Sequence, residues 1–176
     1  MKCRLGNALW TLGNARHWAR YQRALRHPRL AQENILRCFL HRNAGSAYGR
    51  KYRYAEIRTV EEFQETVPIA AYEDLEPWID RIHKGEENVL AAEPVLMMEK
   101  TGGSSGPAKY IPYTASLLRE FQSAVGAWMF DLFTRRPGVP GGSQFWSLTP
   151  VARERERTEG GLPVGFEDDT EYFGPL

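Results

Sequence analysis

Long apolar runs are missing from this 176-residue chain, and so is any surplus of charge, with 23 Lys and Arg against 22 Asp and Glu. The first absence excludes a membrane-spanning helix, which needs about 20 predominantly apolar residues. The second removes the general attraction that draws strongly basic proteins to nucleic acid. Neither a nucleic-acid partner nor a membrane partner is expected. Cysteine is scarce as well: Cys3 and Cys38 have no metal-ligand spacing and no close His or Cys to complete a site, so zinc chemistry finds no support. Reduced thiols in a cytoplasmic protein are the expectation. A hydrolase triad is equally unsupported, because His17, His27, His41 and His83 have no Ser or Cys nucleophile in a recognisable motif beside them.

Acid is absent from the start of the chain. Seven Lys and Arg (Lys2, Arg4, Arg16, Arg20, Arg23, Arg26, Arg29) precede the first acidic residue, Glu33. An Arg-rich, acid-free start is one form of transit peptide; the reading preferred here is a basic helix lying on an acidic surface of its own protein. A secretory signal is not expected, since Ala8-Leu9-Trp10 falls short of the roughly 7–15 apolar residues of an h-region. What remains is an ordinary globular composition, 42% hydrophobic and 26% charged, in a chain long enough to bury about 70% of its unfolded surface.

The first half reads as helical. Leu5, Leu9, Leu12, Trp18 and Leu25 suggest one helix up to the break at His27-Pro28, and Leu36, Phe39 and Leu40 a second from about Leu30 to Asn43. Thr59 and Glu62 have capping-box spacing for a short helix ending before Pro68, and another helix fits Tyr72–His83, closed by Gly85. At Pro94 the pattern changes. Val95-Leu96-Met97-Met98 reads as a buried strand, and Tyr110-Ile111-Pro112-Tyr113 as a second strand or edge with its proline at the margin. From Thr114, an N-cap, the positions Leu117, Leu118, Phe121, Val125, Trp128, Met129 and Leu132 predict one buried helix face. Gln144–Leu148 looks like a further short strand. Residues 153–157 read as a solvated loop or helix end, and from Gly160 onward no closing amphipathic element follows. The expected class is α/β: a mostly helical segment over residues 1–90, then residues 91–176 as the beginning of a nucleotide-binding α/β domain that ends incomplete.

Between the two strands lies Thr101-Gly102-Gly103-Ser104-Ser105-Gly106-Pro107-Ala108-Lys109. Its glycines let backbone amides approach an anion closely, its hydroxyls can donate to phosphate oxygens, and Lys109 adds a positive charge. Charge-assisted contacts of this kind contribute about 1.5–3 kcal/mol each. By composition alone the stretch could equally be a flexible Gly/Ser linker. Its place between consecutive apolar strands argues against that. Two familiar phosphate motifs are excluded by spacing. Counting a Walker loop from Gly103 puts Ala108 at the second glycine position and Tyr110 where Ser or Thr must follow the lysine, and Gly102, Gly103 and Gly106 do not have the dinucleotide register.

The loop does resemble the Ser/Thr-Gly-Ser/Thr-Ser/Thr-Gly-x-x-Lys signature of the acyl-adenylate-forming superfamily. Its surroundings narrow the likeness. Val67-Pro68-Ile69, Tyr72-Glu73-Asp74-Leu75, Ile79-Asp80-Arg81-Ile82 with Gly85-Glu86, Pro94-Val95, and Lys109-Tyr110-Ile111-Pro112-Tyr113-Thr114 resemble, in order, the auxin-responsive-promoter (Gretchen Hagen) acyl acid–amido synthetase family. Gly160–Phe166 and Asp168–Tyr172 resemble its bacterial branch, so the likeness spans about residues 30–176. The resemblance implies an ATP-dependent ligase that activates a small carboxylic acid as an acyl-adenylate and transfers it to the amine of an amino acid. Carried onto this chain, Gly103, Ser104, Ser105, Gly106 and Lys109 would hold the triphosphate, with Thr101 supporting the loop. Gly102 stands where the family commonly has Ser, which removes one hydroxyl contact. ATP and Mg²⁺ are the implied cofactors, with the Mg²⁺ ligands expected outside this chain.

Family members are several times longer, so a chain ending at Leu176 is expected to be the front part of the enzyme and inactive alone; no catalytic residue and no metal ligand is assigned within it. The alternative is a non-catalytic nucleotide- or anion-binding module, or a subunit needing a partner chain. Glu167, Asp168, Asp169 and Glu171 read as a solvated polar loop rather than a cation site, and Trp128, Trp146 and Tyr172 as core rather than an acyl pocket.

Overall fold

The computed structural model describes residues 2–101, 108–143 and 156–165. Six α-helices and one two-stranded sheet occur among them: α1 (Lys2–Arg26), α2 (Pro28–Asn43), α3 (Ala47–Lys51), α4 (Val60–Thr66), α5 (Tyr72–His83), β1 (Val95–Lys100), β2 (Tyr110–Thr114) and α6 (Ala115–Arg135). The expected strand at residues 144–148 and the acidic stretch 167–171 lie outside the described residues. The contacts divide the chain into two compact units. One carries α1, α6 from Ser116 on and the turn at Val139–Gly141; the other carries α2 from Arg29 on, α3–α5, the β1–β2 hairpin and residues 156–165.

In the first unit α1 lies along α6 through polar and aromatic pairs. His17 Nδ1 meets Ser123 Oγ at 2.8 Å, the Trp18 indole N–H donates to Asp131 at 3.2 Å, and Trp10 stands edge-on to Phe133 with centroids 6.0 Å apart. A β-carbon on Gly126 would fall 2.2 Å from Asn14 Oδ1, so the two helices approach closely there and a larger residue would have to displace the Asn14 side chain. The predicted face holds in part: Met129 is buried and Leu118, Phe121, Val125 and Leu132 are half-buried. The structure buries Gly126, Ala127, Met129 and Phe133, while Leu117 and Trp128 are 37% and 57% exposed. Trp128 is therefore not core. Hydrophobic periodicity points to large residues, whereas the helix contact is built over small ones, which a hydropathy pattern does not register. Arg16, Arg20 and Arg23 of the basic start are exposed and make no ion pair among the described residues.

In the second unit the local signals held. Thr59 accepts the Glu62 amide, and the Glu62 carboxylate accepts the amides of Arg58 and Thr59, a complete capping box. At α5 the first half of such a box is absent because Ala71 has no side-chain acceptor, but Asp74 accepts the Ala71 amide at 2.9 Å. Helix α3 was not anticipated. Fully buried Ser46 caps it, accepting the Gly49 amide at 2.9 Å and donating to the Asn43 carbonyl at 2.8 Å. The amides of Ala47 and Tyr48 are in turn held by the carbonyls of Asn88 and Val89.

Two apolar clusters result. Leu40, Tyr48, Tyr54 and Ile57 form one, and Ile79, Ile82, Val89, Met98 and Val164 the other, with Leu75, Trp78 and Leu90 touching both. Gly160 donates to the His83 carbonyl at 2.9 Å and lies so close to Gly85 (φ +91°) that a β-carbon on Gly160 would sit 2.3 Å from Gly85 N and Cα. Residues 156–165 are thereby fastened to the end of α5.

Candidate functional site

The antiparallel hairpin pairs Lys100 with Tyr110, Glu99 with Ile111, Met98 with Pro112 and Met97 with Tyr113, with an irregularity before Met97. β1 extends two residues past the predicted Met98, because Glu99 and Lys100 continue the ladder to the mouth of the loop. Pro112 sits in the middle of β2 and not at its margin. The reason is visible at Met98, whose N–H donates to the Pro163 carbonyl and whose carbonyl accepts from Gly165, both on the far side of β1. The Met98–Pro112 pair is thus a non-hydrogen-bonded one, and the N–H that proline lacks is not called on.

The Thr101 amide donates to the Lys109 carbonyl at 2.9 Å, so the ladder runs on to these two residues and brings the ends of the loop face to face. Of the predicted phosphate-gripping set, Thr101 and Lys109 are placed at this mouth; Gly103, Ser104, Ser105 and Gly106 lie outside the described residues.

Lys109 is held by the first turn of α5. Its ammonium lies 3.2 Å from Glu73 Oε1 and 4.7 Å from the centroid of the Tyr72 ring, and the Tyr72 hydroxyl accepts the Tyr110 amide at 2.9 Å. That hydrogen bond ties the ring that underlies Lys109 to the strand that carries it. Glu73's own backbone amide, and after it the Lys109 ammonium, hold the Glu73 carboxyl below the usual carboxylate range. Lys109 is 47% exposed and Glu73 69%, so the ion pair is solvent-screened and weak. An incoming anion could take the lysine from Glu73 at small cost.

On the opposite face of the ladder, Lys100 pairs with Glu156 at 3.1 Å, and the Tyr110 hydroxyl donates to the same carboxylate at 3.2 Å. The Lys100 ammonium, more than Tyr110, lowers the Glu156 carboxyl and is itself raised by that partner. The His83 ring meets Tyr110 edge-on, with centroids 5.5 Å apart. The mouth is therefore framed by two lysines on opposite faces of the hairpin, each with a displaceable carboxylate partner. Sequence reading had singled out only Lys109 among these charged groups. Tyr72 and Glu73 stood within a noted motif without a role, and Lys100 and Glu156 are 56 positions apart, with no local pattern to join them. No group of three or more His, Cys, Asp or Glu that could hold a metal converges among the described residues.

Comparison with known proteins adds the following. Residues 18–170 match the GH3 family N-terminal domain. The chain is 31% identical over 135 residues to the probable indole-3-acetic acid-amido synthetase GH3.2 of Oryza sativa subsp. japonica, covering 76% of this chain and 22% of that protein. It is 33% identical over 137 residues to the indole-3-acetic acid-amido synthetase GH3.15 of Arabidopsis thaliana, with the same coverage. The solved structure of the AtGH3.15 acyl acid amido synthetase in complex with 2,4-DB superposes with a TM-score of 0.65 at 28% identity, over 76% of this chain and 23% of that one. The chain thus spans about a quarter of the length of its relatives. Mostly helical with a small two-stranded sheet, and matching by sequence and by backbone the N-terminal portion of these amido synthetases, the chain belongs to the GH3 family.

Proposed function

We infer that this chain is the N-terminal, phosphate-gripping part of an ATP-dependent acyl acid–amido synthetase. The observation that carries the reading is the hairpin mouth, where the ladder closes on Thr101 and Lys109 and the first turn of α5 presents Lys109 over Tyr72. The residues there suit a triphosphate: a lysine whose ion pair, the only one it makes among the described residues, is exposed and weak, a second lysine on the opposite face, and a Gly/Ser-rich loop between the strands.

In this reading a carboxylate oxygen of the acid attacks the α-phosphorus of ATP, the bond to the β-phosphate oxygen breaks and pyrophosphate leaves. The amine of an amino acid then attacks the acyl carbon, AMP leaves, and the amine gives up its proton as the amide forms. Lys109, released from Glu73, supplies charge to the phosphates before and during the first step. Its contribution is electrostatic and positional, with no covalent role. Mg²⁺ would neutralise further phosphate charge, with its protein ligands drawn from outside the described residues. A small carboxylic acid and an amino acid are the substrates of the whole enzyme in this reading. The exposed free thiols Cys3 and Cys38 fit a reducing cytoplasm, and no described helix is long and apolar enough to cross a membrane.

Carboxylate-dependent exchange of pyrophosphate into ATP, measured on the full-length protein, tests the assignment. Lys109→Ala should lower the exchange rate by about tenfold or more, the equivalent of one charge-assisted contact. An unchanged rate would overturn the role given to Lys109. Binding of ATP with Mg²⁺ and no exchange in the unaltered protein would favour a nucleotide-binding module without turnover.

A further inference from the structure

The outward side of α1 carries side chains that the ligase reading leaves unused. Leu5, Leu9 and Leu12 are 65%, 63% and 69% exposed, and Arg16, Arg20 and Arg23 beyond them are exposed as well. At 3.6 residues per turn these six share one side of the helix: Leu5 and Arg23 stand about five turns apart on the same line, along a ridge about 27 Å long. The inward side holds Trp10, Asn14, His17 and Trp18 against α6. Gly6 and Gly13 flank the leucines, and a β-carbon on either would meet nothing within 4 Å, so the leucines stand on an open ridge rather than in a groove.

No acid of its own neighbourhood offsets the cationic end. Helix α1 contains none, and the first in the chain is Glu33. The α6 sequence brings only Glu120 and Asp131, and Asp131 is engaged by the Trp18 indole and by Arg135. Arg16 donates to the His17 ring at 3.3 Å and not to a carboxylate. Burial, and after it the charges of Arg16 and Arg20, hold that ring below the ordinary histidine range. The near-zero charge of the whole chain therefore does not describe this face.

We propose that the outer face of α1 docks on an anionic lipid surface, with Leu5, Leu9 and Leu12 entering the headgroup boundary and Arg16, Arg20 and Arg23 meeting the headgroup anions. The helix lies in the plane of the surface and does not cross it. A lipid interface offers apolar depth and negative charge at every point of a plane, which suits a straight ridge with leucines at one end and arginines at the other. An acidic protein surface or a nucleic acid would satisfy the arginines and leave the leucines in water. The face shares no residue with the hairpin mouth, so it stands whether or not that mouth grips a triphosphate.

The test is co-sedimentation of the full-length protein with vesicles of equal parts phosphatidylserine and phosphatidylcholine, against vesicles of phosphatidylcholine alone. Retention on the anionic vesicles is expected, with little on the neutral ones and a decline as salt is raised. The triple variants Leu5→Gln/Leu9→Gln/Leu12→Gln and Arg16→Gln/Arg20→Gln/Arg23→Gln should each weaken retention by about tenfold or more, and Lys109→Ala should leave it unchanged. The proposal is overturned if the anionic vesicles retain no protein, if the neutral vesicles retain as much, or if Lys109→Ala abolishes retention. It is also overturned if the leucine variant is retained like the unaltered protein, or if soluble polyglutamate binds as tightly as the vesicles; either result would point to an acidic protein surface instead. The lipid and polyglutamate comparisons need no variant, so they decide the matter even if a triple variant fails to fold.

Discussion

Lys109 and Glu73 are 36 positions apart in sequence and 3.2 Å apart in space, and their pairing can be read from the carboxyl side. Glu73 should titrate below the ordinary glutamate range by NMR. In Lys109→Ala its midpoint should rise only part of the way back, because Glu73's own backbone amide is the larger cause of the shift and remains. A full return to the ordinary value would mean that the lysine alone had set it. Tyr54 gives a test at the other end of the pH scale. Burial, with Tyr48 and Tyr52 adding to it, pushes its hydroxyl from 10.0 up to about 12. A group whose folded pKa is raised stabilises fully below its unfolded pKa and loses that contribution as pH rises through the folded value. The protein should therefore lose about 2–3 kcal/mol between pH 10 and 12 from this residue. Denaturation measured against pH should show Tyr54→Phe spared that part of the loss; equal losses would remove Tyr54 as its source. Neither neighbourhood was legible from sequence, because each joins residues from separate elements.

Helices show the opposite balance. α4 was legible to the residue at its start, since the Thr59–Glu62 box is a contract between positions three apart. Thr59→Ala should cost about 1 kcal/mol in denaturant unfolding, and no measurable change would mean that the helix end is held by its surroundings. α5 was legible over its whole length, from Tyr72 to the left-handed Gly85 beyond it. α3 was not, because its five residues, one of them glycine, form a helix only with Ser46 capping one end and the 88–89 backbone bonding the other amides. The Gly85–Gly160 contact is likewise a tertiary matter. Gly160→Ala would force a β-carbon to 2.3 Å from backbone atoms, which cannot yield as a flexible side chain can. Destabilisation of about 1–3 kcal/mol is expected in the same unfolding assay, and a neutral result would mean that residues 156–165 lift away at little cost.

Across the whole chain the composition and the order of motifs were sufficient for the class: helices first, then a hairpin around a glycine loop, in a member of the GH3 family. Met98 shows how the second unit is drawn together. It is fully buried, central in one core cluster, paired with Pro112 on one side and bonded through its backbone to residues 163 and 165 on the other. Met98→Ala should cost about 2–5 kcal/mol, with an unchanged dependence on denaturant if the unit still unfolds as one. The sequence by itself determined what is written in short-range chemistry: helix caps and stops, the loop's glycines and hydroxyls, and the lysine that follows it. Tertiary structure alone decided that α6 meets α1 over Gly126, what holds Lys109 in place, and how residues 156–165 are fastened to the end of α5. The reason is physical. Capping and turn energies act between residues a few positions apart, whereas burial and ion pairing depend on distance in space, which the order of residues does not carry.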